Sequence, residues 1–137
     1  MTTEYKKILP RPTMDSDGFW ESVKRHQMAL QKCLDCGAFH FPPSDMCPEC
    51  WSFNTQWTPV SGKGKVFSFV VFHQRYHPAW EGDVPYDVTL VELEEGPRML
   101  TNVVGVKPDE IKVGLPVEVA YDDVTPEATL PKFRPLS

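Results

Sequence analysis

Four cysteines carry the clearest chemistry in this 137-residue chain. They fall as Cys33-Leu34-Asp35-Cys36 and Cys47-Pro48-Glu49-Cys50, with ten residues between the pairs. A C-x-x-C turn aims two sulfurs at one point, and a second such turn brought up by a hairpin completes a tetrahedral thiolate site. Gly37 directly follows the first pair, where the chain turns sharply, often at positive φ, while backbone N–H groups approach the sulfurs. Trp51 holds the matching place after the second pair, so that turn is less easily read. Two disulfides are the alternative, but nothing points to secretion, and cysteines crowded into one short segment do not form a general stapling framework. Zinc suits such a site, although iron in a rubredoxin-like electron carrier uses the same ligands. A complete tetrad leaves no open position for water, which makes the site structural. Metal binding then supplies the stability that so short a segment cannot obtain from buried apolar area.

The remaining candidate chemistry is sparse. His40 lies near the tetrad, but four sulfurs need no fifth ligand, so a surface or packing role is expected. His26, His73 and His77 are scattered, with no nucleophile or carboxylate at a diagnostic spacing, so no acid–base dyad is assigned. There is no Gly-rich phosphate loop, nucleophile elbow or metal-hydrolase signature, and no catalytic residue is assigned. Lys and Arg number 14 against 19 Asp and Glu, a formal charge of -5 with no strongly basic region. That balance opposes a single-stranded nucleic-acid module, the alternative that aromatics able to stack on bases would otherwise suggest. The amino terminus lacks an apolar run and no later stretch reaches membrane-spanning length, so a cytoplasmic location is expected.

What must position these residues is a mainly β chain. Apolar residues make up 41% and charged residues 24%, enough to bury a core, and 14 prolines favour short strands and turns over a helical bundle. Residues 1–27 read as an arm and a helix, 28–60 as a zinc ribbon, and 61–137 as an OB-fold domain. In the first unit, Ser16 or Asp17 caps a short helix from Gly18 to Arg25, with Phe19, Trp20 and Val23 on one face. So short a helix must dock that face on something: the core, a ligand groove or a partner. In the second, strands are expected at Met28 to Lys32, Ala38 to Phe41 and Phe53 to Val60, and Ser61-Gly62-Lys63-Gly64 is a flexible turn. In the third, strands run from Lys65 to His73, Tyr86 to Leu93, Met99 to Val104 and Val117 to Tyr121. A fifth, around Leu130 to Phe133, is placed at an edge by its prolines. Val66, Val70 and Phe72 alternate with Phe67, Phe69 and Val71, so the first of these strands is apolar on both faces. Glu94 to Pro97 is a hairpin turn, and Pro108 to Val113 one helical turn stopped by Gly114, where a five-stranded OB barrel has its helix or loop.

The order of several short patterns resembles a known family: the rubredoxin-like zinc ribbon plus OB-fold proteins associated with acyl-CoA metabolism, once classed as a domain of unknown function. The carriers are Phe19-Trp20, Cys33 to Gly37, Phe41-Pro42-Pro43, Cys47 to Cys50, Gly62-Lys63-Gly64-Lys65-Val66, Pro85-Tyr86 and Leu130 to Pro135. Many relatives carry arginine after the proline pair, where this chain has Ser44. The resemblance implies a non-catalytic subunit beside a thiolase-fold enzyme (a thiolase, an acyltransferase or a lipid-transfer-type aldolase), sometimes alongside a hydratase, in acyl-CoA, lipid or steroid metabolism. It implies structural zinc on Cys33, Cys36, Cys47 and Cys50, and acyl-CoA as a ligand. Phe19 and Trp20 would wall a groove for an acyl or pantetheine chain, and Lys63, Lys65 or Arg75 would meet CoA phosphates. Tyr76, Trp80 and Tyr86, in or beside an unusually aromatic connection, would anchor a ligand or partner, with simple capping of the barrel end as an equal competitor.

Overall fold

The computed structural model describes residues 5, 7–74, 76–80 and 82–136. Helix α1 (Asp17–Lys24) leads into a three-stranded antiparallel sheet of β1 (Ala29–Cys33), β2 (Phe39–His40) and β3 (Thr55–Pro59), in the order β2-β1-β3. A five-stranded sheet follows, built from β4 (Lys63–Phe72), β5 (Tyr86–Leu93), β6 (Arg98–Thr101), β7 (Pro116–Asp123) and β8 (Thr129–Pro135), in the order β6-β5-β4-β7-β8. It curls into a half-barrel with β6 and β8 at its edges. Beyond β6, Val103 forms a parallel bridge to Phe133 of β8, and the N–H of Val104 donates to the Phe133 carbonyl at 2.7 Å. Edge placement suits β8, since Pro131 and Pro135 have no N–H to give a further strand.

Sequence pattern accounts for most of this, and local chemistry accounts for the departures. Ser16 occupies the N-cap of α1, but its hydroxyl accepts the Thr13 N–H at 2.9 Å and makes no cap bond to the helix. The expected turn at Ser61 to Gly64 is shorter than predicted, because Lys63 and Gly64 already pair with Glu118 and Val117 of β7. In β4 the simple alternation fails. A bulge at Phe67 lets Val66 face Val91 and Ser68 face Leu90, which shifts parity along the strand. Val66 is therefore buried and Phe69 packs on the core, while Phe67 and Val70 stay exposed.

One hydrophobic cluster runs through both sheets: Phe19, Val23, Met28 and Leu30 from α1 and β1 join Val66, Val91, Val117 and Phe133 of the half-barrel. Two features seat α1. Gly18 lies so close to the Trp57 ring of β3 that a Cβ there would overlap it. At the other end His26, at φ 60, stacks on Tyr121 of β7 (4.7 Å between centroids) and pairs with Asp123 at 3.0 Å. Asp87 is buried on the inner face of β5, where its Oδ2 accepts the Val103 N–H at 2.9 Å in place of a sheet partner.

Candidate functional site

The two cysteine turns are built alike. The Gly37 N–H donates to the Cys33 carbonyl (2.9 Å) and the Trp51 N–H to the Cys47 carbonyl (2.8 Å). In turn, the Cys33 N–H donates to Ala38 and the Cys47 N–H to Ser52, each at 2.8 Å. Gly37 has φ 80 and Trp51 φ 65, so the tryptophan takes the conformation that the glycine takes freely. For a residue with a Cβ this left-handed region costs about 1–2 kcal/mol. Closing the second turn requires it all the same, and the 74% exposed indole is free to project outward.

These turns bring the four sulfurs within 4.8 Å of one another, with Cys33 Sγ 3.5 Å from Cys50 Sγ and Cys36 Sγ 3.7 Å from Cys47 Sγ. A tetrahedron with metal–sulfur bonds of about 2.3 Å has edges of about 3.8 Å, so the donor set fits one zinc ion. None of the four cysteines is in a disulfide; Cys33 and Cys47 are buried, Cys36 and Cys50 exposed. Backbone amides prepare the charge: the Cys36 N–H lies 3.4 Å from Cys33 Sγ, and this bond leads the influences that lower the Cys33 thiol to about 6. The Ser52 N–H favours the Cys50 thiolate, but the three neighbouring sulfurs and burial push that thiol up to about 12. Cys36 is likewise raised, against the Ala38 N–H. The Cys33 thiolate forms readily, whereas those of Cys36 and Cys50 are resisted, a penalty that a bound dication removes.

Two concavities flank the centre. A cleft of about 610 Å³ separates the ribbon from the β5–β6 turn and is lined by Cys36, Phe39, His40, Glu49, Glu95 and Pro97 among others. A groove of about 320 Å³ lies at the open seam of the half-barrel, with Phe19, Trp20, Phe41 and Leu100 as its apolar surface and Asn102 and Lys132 in its wall. Phe19 and Trp20 thus do line one groove, although Phe19 is itself in the core at 2% exposure. Lys63 and Lys65 are not brought to it. Lys65 lies 3.9 Å from Glu92 in a shallow pocket with Glu94, surroundings that disfavour an anionic phosphate. Arg75 falls outside the described residues.

The aromatic connection divides in two. Tyr76, 73% exposed, meets Phe72 edge-on at 5.8 Å, and Tyr86 stacks on the same ring at 5.3 Å. Trp80 packs edge-on against His77, and with Tyr86, Lys7, Asp87 and Lys132 it lines a separate cavity of about 350 Å³. Sequence reasoning assigned no site role to Phe41, Asn102, Lys132 or Glu95. Phe41 and Lys132 lie inside quoted motifs, but only the curling of the sheet places β8 beside α1. His40 is buried, as a packing role requires.

Comparison with known proteins follows the same two units. Residues 20–56 match the family described as ChsH2, rubredoxin-like zinc ribbon domain, and residues 57–122 the one described as ChsH2, C-terminal OB-fold domain. A probable enoyl-CoA hydratase alpha subunit of Thermomonospora curvata is 43% identical over 95% of this chain and 41% of its own length. A DUF35 domain-containing scaffold protein of Methanocaldococcus jannaschii is 33% identical over 74% of this chain and 73% of its own. Among solved structures, a chain of the Ltp2-ChsH2(DUF35) aldolase superposes with a TM-score of 0.83 and 41% identity, covering 92% of this chain and 98% of that one. The chain spans about two-fifths of the length of the hydratase subunits it matches.

Proposed function

Since the chain belongs to the DUF35 family, with the zinc ribbon and OB-fold domains of ChsH2, we propose that it is a non-catalytic subunit that supports a thiolase-fold enzyme, a thiolase, acyltransferase or aldolase, acting on acyl-CoA. The observation that carries this reading is the match along nearly the whole DUF35 chain of an aldolase named for two components. The site agrees with it. The closed four-sulfur centre leaves no coordination position for a substrate. A hydratase belongs among the partner enzymes, because the hydratase subunit of Thermomonospora curvata carries a unit like this one as part of a longer chain.

The acyl group's place in this reading is the seam groove. Phe19, Trp20, Phe41 and Leu100 offer apolar surface for an acyl or pantetheine chain, and the lysine in the groove lining, Lys132, already pairs with Asp122 at 3.1 Å. Tyr76, Trp80 and Tyr86 remain the proposed partner contacts, with Tyr76 the most exposed of the three. The test is co-expression with a candidate thiolase-fold enzyme. We expect the two chains to co-purify and the enzyme's acyl-CoA turnover to collapse when this chain is omitted. Full activity without it, or turnover of a thioester by this chain alone, overturns the proposal.

A further inference from the structure

Two buried side-chain polar atoms among the described residues have no hydrogen-bond partner, His40 Nδ1 and Glu95 Oε1, and both residues line the cleft between ribbon and half-barrel. His40 is 5% exposed. Its tautomer is fixed by its neighbours: Gln31 Oε1 accepts the Ser44 N–H at 2.9 Å, so the amide oxygen faces that way, and His40 Nε2 at 2.9 Å from the same oxygen must donate. In the neutral ring Nδ1 is then an acceptor facing no donor. Glu95 uses its other oxygen to accept the Ser61 N–H at 2.9 Å, which leaves Oε1 as a second acceptor without a donor. Buried acceptors are ordinarily satisfied, so two on one cleft point to a donor that the isolated chain lacks.

The sign of the missing donor follows from charge. The cleft lining includes two carboxylates, Glu49 and Glu95, and no lysine or arginine. Cys36 also lines it, and a four-thiolate centre around one zinc ion carries two net negative charges. Lys32 lies over the Phe39 ring at 5.7 Å, and Arg98, next to Pro97, pairs with Glu92 at 3.3 Å; neither is in the lining. An anionic ligand is disfavoured by repulsion, whereas a cation with N–H donors suits a cleft that offers acceptors, two carboxylates and the field of the centre.

We propose that this cleft is a docking site for a basic side chain, a lysine or arginine presented by the partner enzyme. The source of that side chain rests on the accessory-subunit reading, but the site's preference for a cation does not, so the two fail separately. The probe is Nα-acetyl-lysine methylamide, with its arginine counterpart, titrated into the ¹⁵N-labelled, zinc-loaded full chain. Nα-acetyl-norleucine methylamide serves as the uncharged control. We expect saturable shifts of the Gly37, Ala38 and Gly96 amides with the basic probes only. Binding should weaken about tenfold in Glu95→Gln, the loss of one charge-assisted bond, and less in Glu49→Gln, which reports the same field from an exposed position should the first variant not fold. Equal shifts with norleucine, shifts spread over every acidic turn, no saturation, or unchanged binding in the folded variants overturns the proposal. Co-purification with a thiolase-fold enzyme would be untouched by any of these failures.

Discussion

From Cys33 to Cys50 the chain buries only Cys33, His40 and Cys47, whereas the half-barrel buries Val66, Val91, Leu93, Met99, Val103, Ile111, Val117 and Phe133 in one cluster. The first region cannot be held by packing and is held at its sulfurs; the second needs no ion. The boundary between them does not coincide with the boundary between the sheets. Met28 and Leu30, at the base of the ribbon, belong to the barrel's cluster, so the ribbon is anchored by apolar contacts at one end, while the other end gathers four sulfurs placed to hold a zinc ion. That asymmetry suits a scaffold, since the tip can be positioned rigidly without a core of its own.

The strongest way to break the comparison is to remove the ion. One zinc per chain is expected by metal analysis. Chelation should forfeit an apparent binding free energy of about 10–16 kcal/mol, the scale of zinc-finger peptides. Amide dispersion should be lost across the cysteine turns and β2, and kept in β4 to β8 and at Met28 and Leu30. Collapse of the whole spectrum would show that the two regions are one cooperative unit.

The converse experiment attacks the packing. Phe133 is fully buried and bridges to Val103, where the chain beyond β6 meets β8. Phe133→Ala should cost about 3–5 kcal/mol by urea denaturation, while the folded fraction still binds one zinc per chain. A loss below about 1 kcal/mol would mean that this junction is not a stabilising contact.

Much of this contrast is legible in the sequence, because local chemistry encodes it. Cysteine spacing declares the metal centre, and period-two alternation places Tyr86 to Leu93 with its inner face at Asp87, Thr89, Val91 and Leu93. What is not legible comes from events with no local signature. The bulge at Phe67 changes which residues of β4 face inward, although the alternation on either side of it is regular. The seam groove joins α1 to β6 and β8, and the acidic cleft joins His40 to Glu95, pairings that only the curl of the sheet creates. Trp51 shows the same limit within a single turn, since nothing in its residue type announces a left-handed backbone.

That turn supplies the finest test of how the tip is held. Gly37 and Trp51 occupy equivalent positions, and a Cβ on Gly37 would meet nothing within 4 Å, so any cost of adding one is conformational. Gly37→Ala should therefore lower stability of the zinc-loaded tip by about 1–2 kcal/mol. Trp51→Gly should relieve a strain of similar origin, offset in part by the greater freedom of glycine in the unfolded chain, for a net gain of roughly 0.5–1 kcal/mol. Competition with a chelator of known affinity measures both, and barrel stability in urea should stay unchanged in each. If Trp51→Gly weakens zinc instead, the exposed indole must be making a contact that outweighs its backbone strain, and the two turns, alike in hydrogen bonding, are not alike in energy.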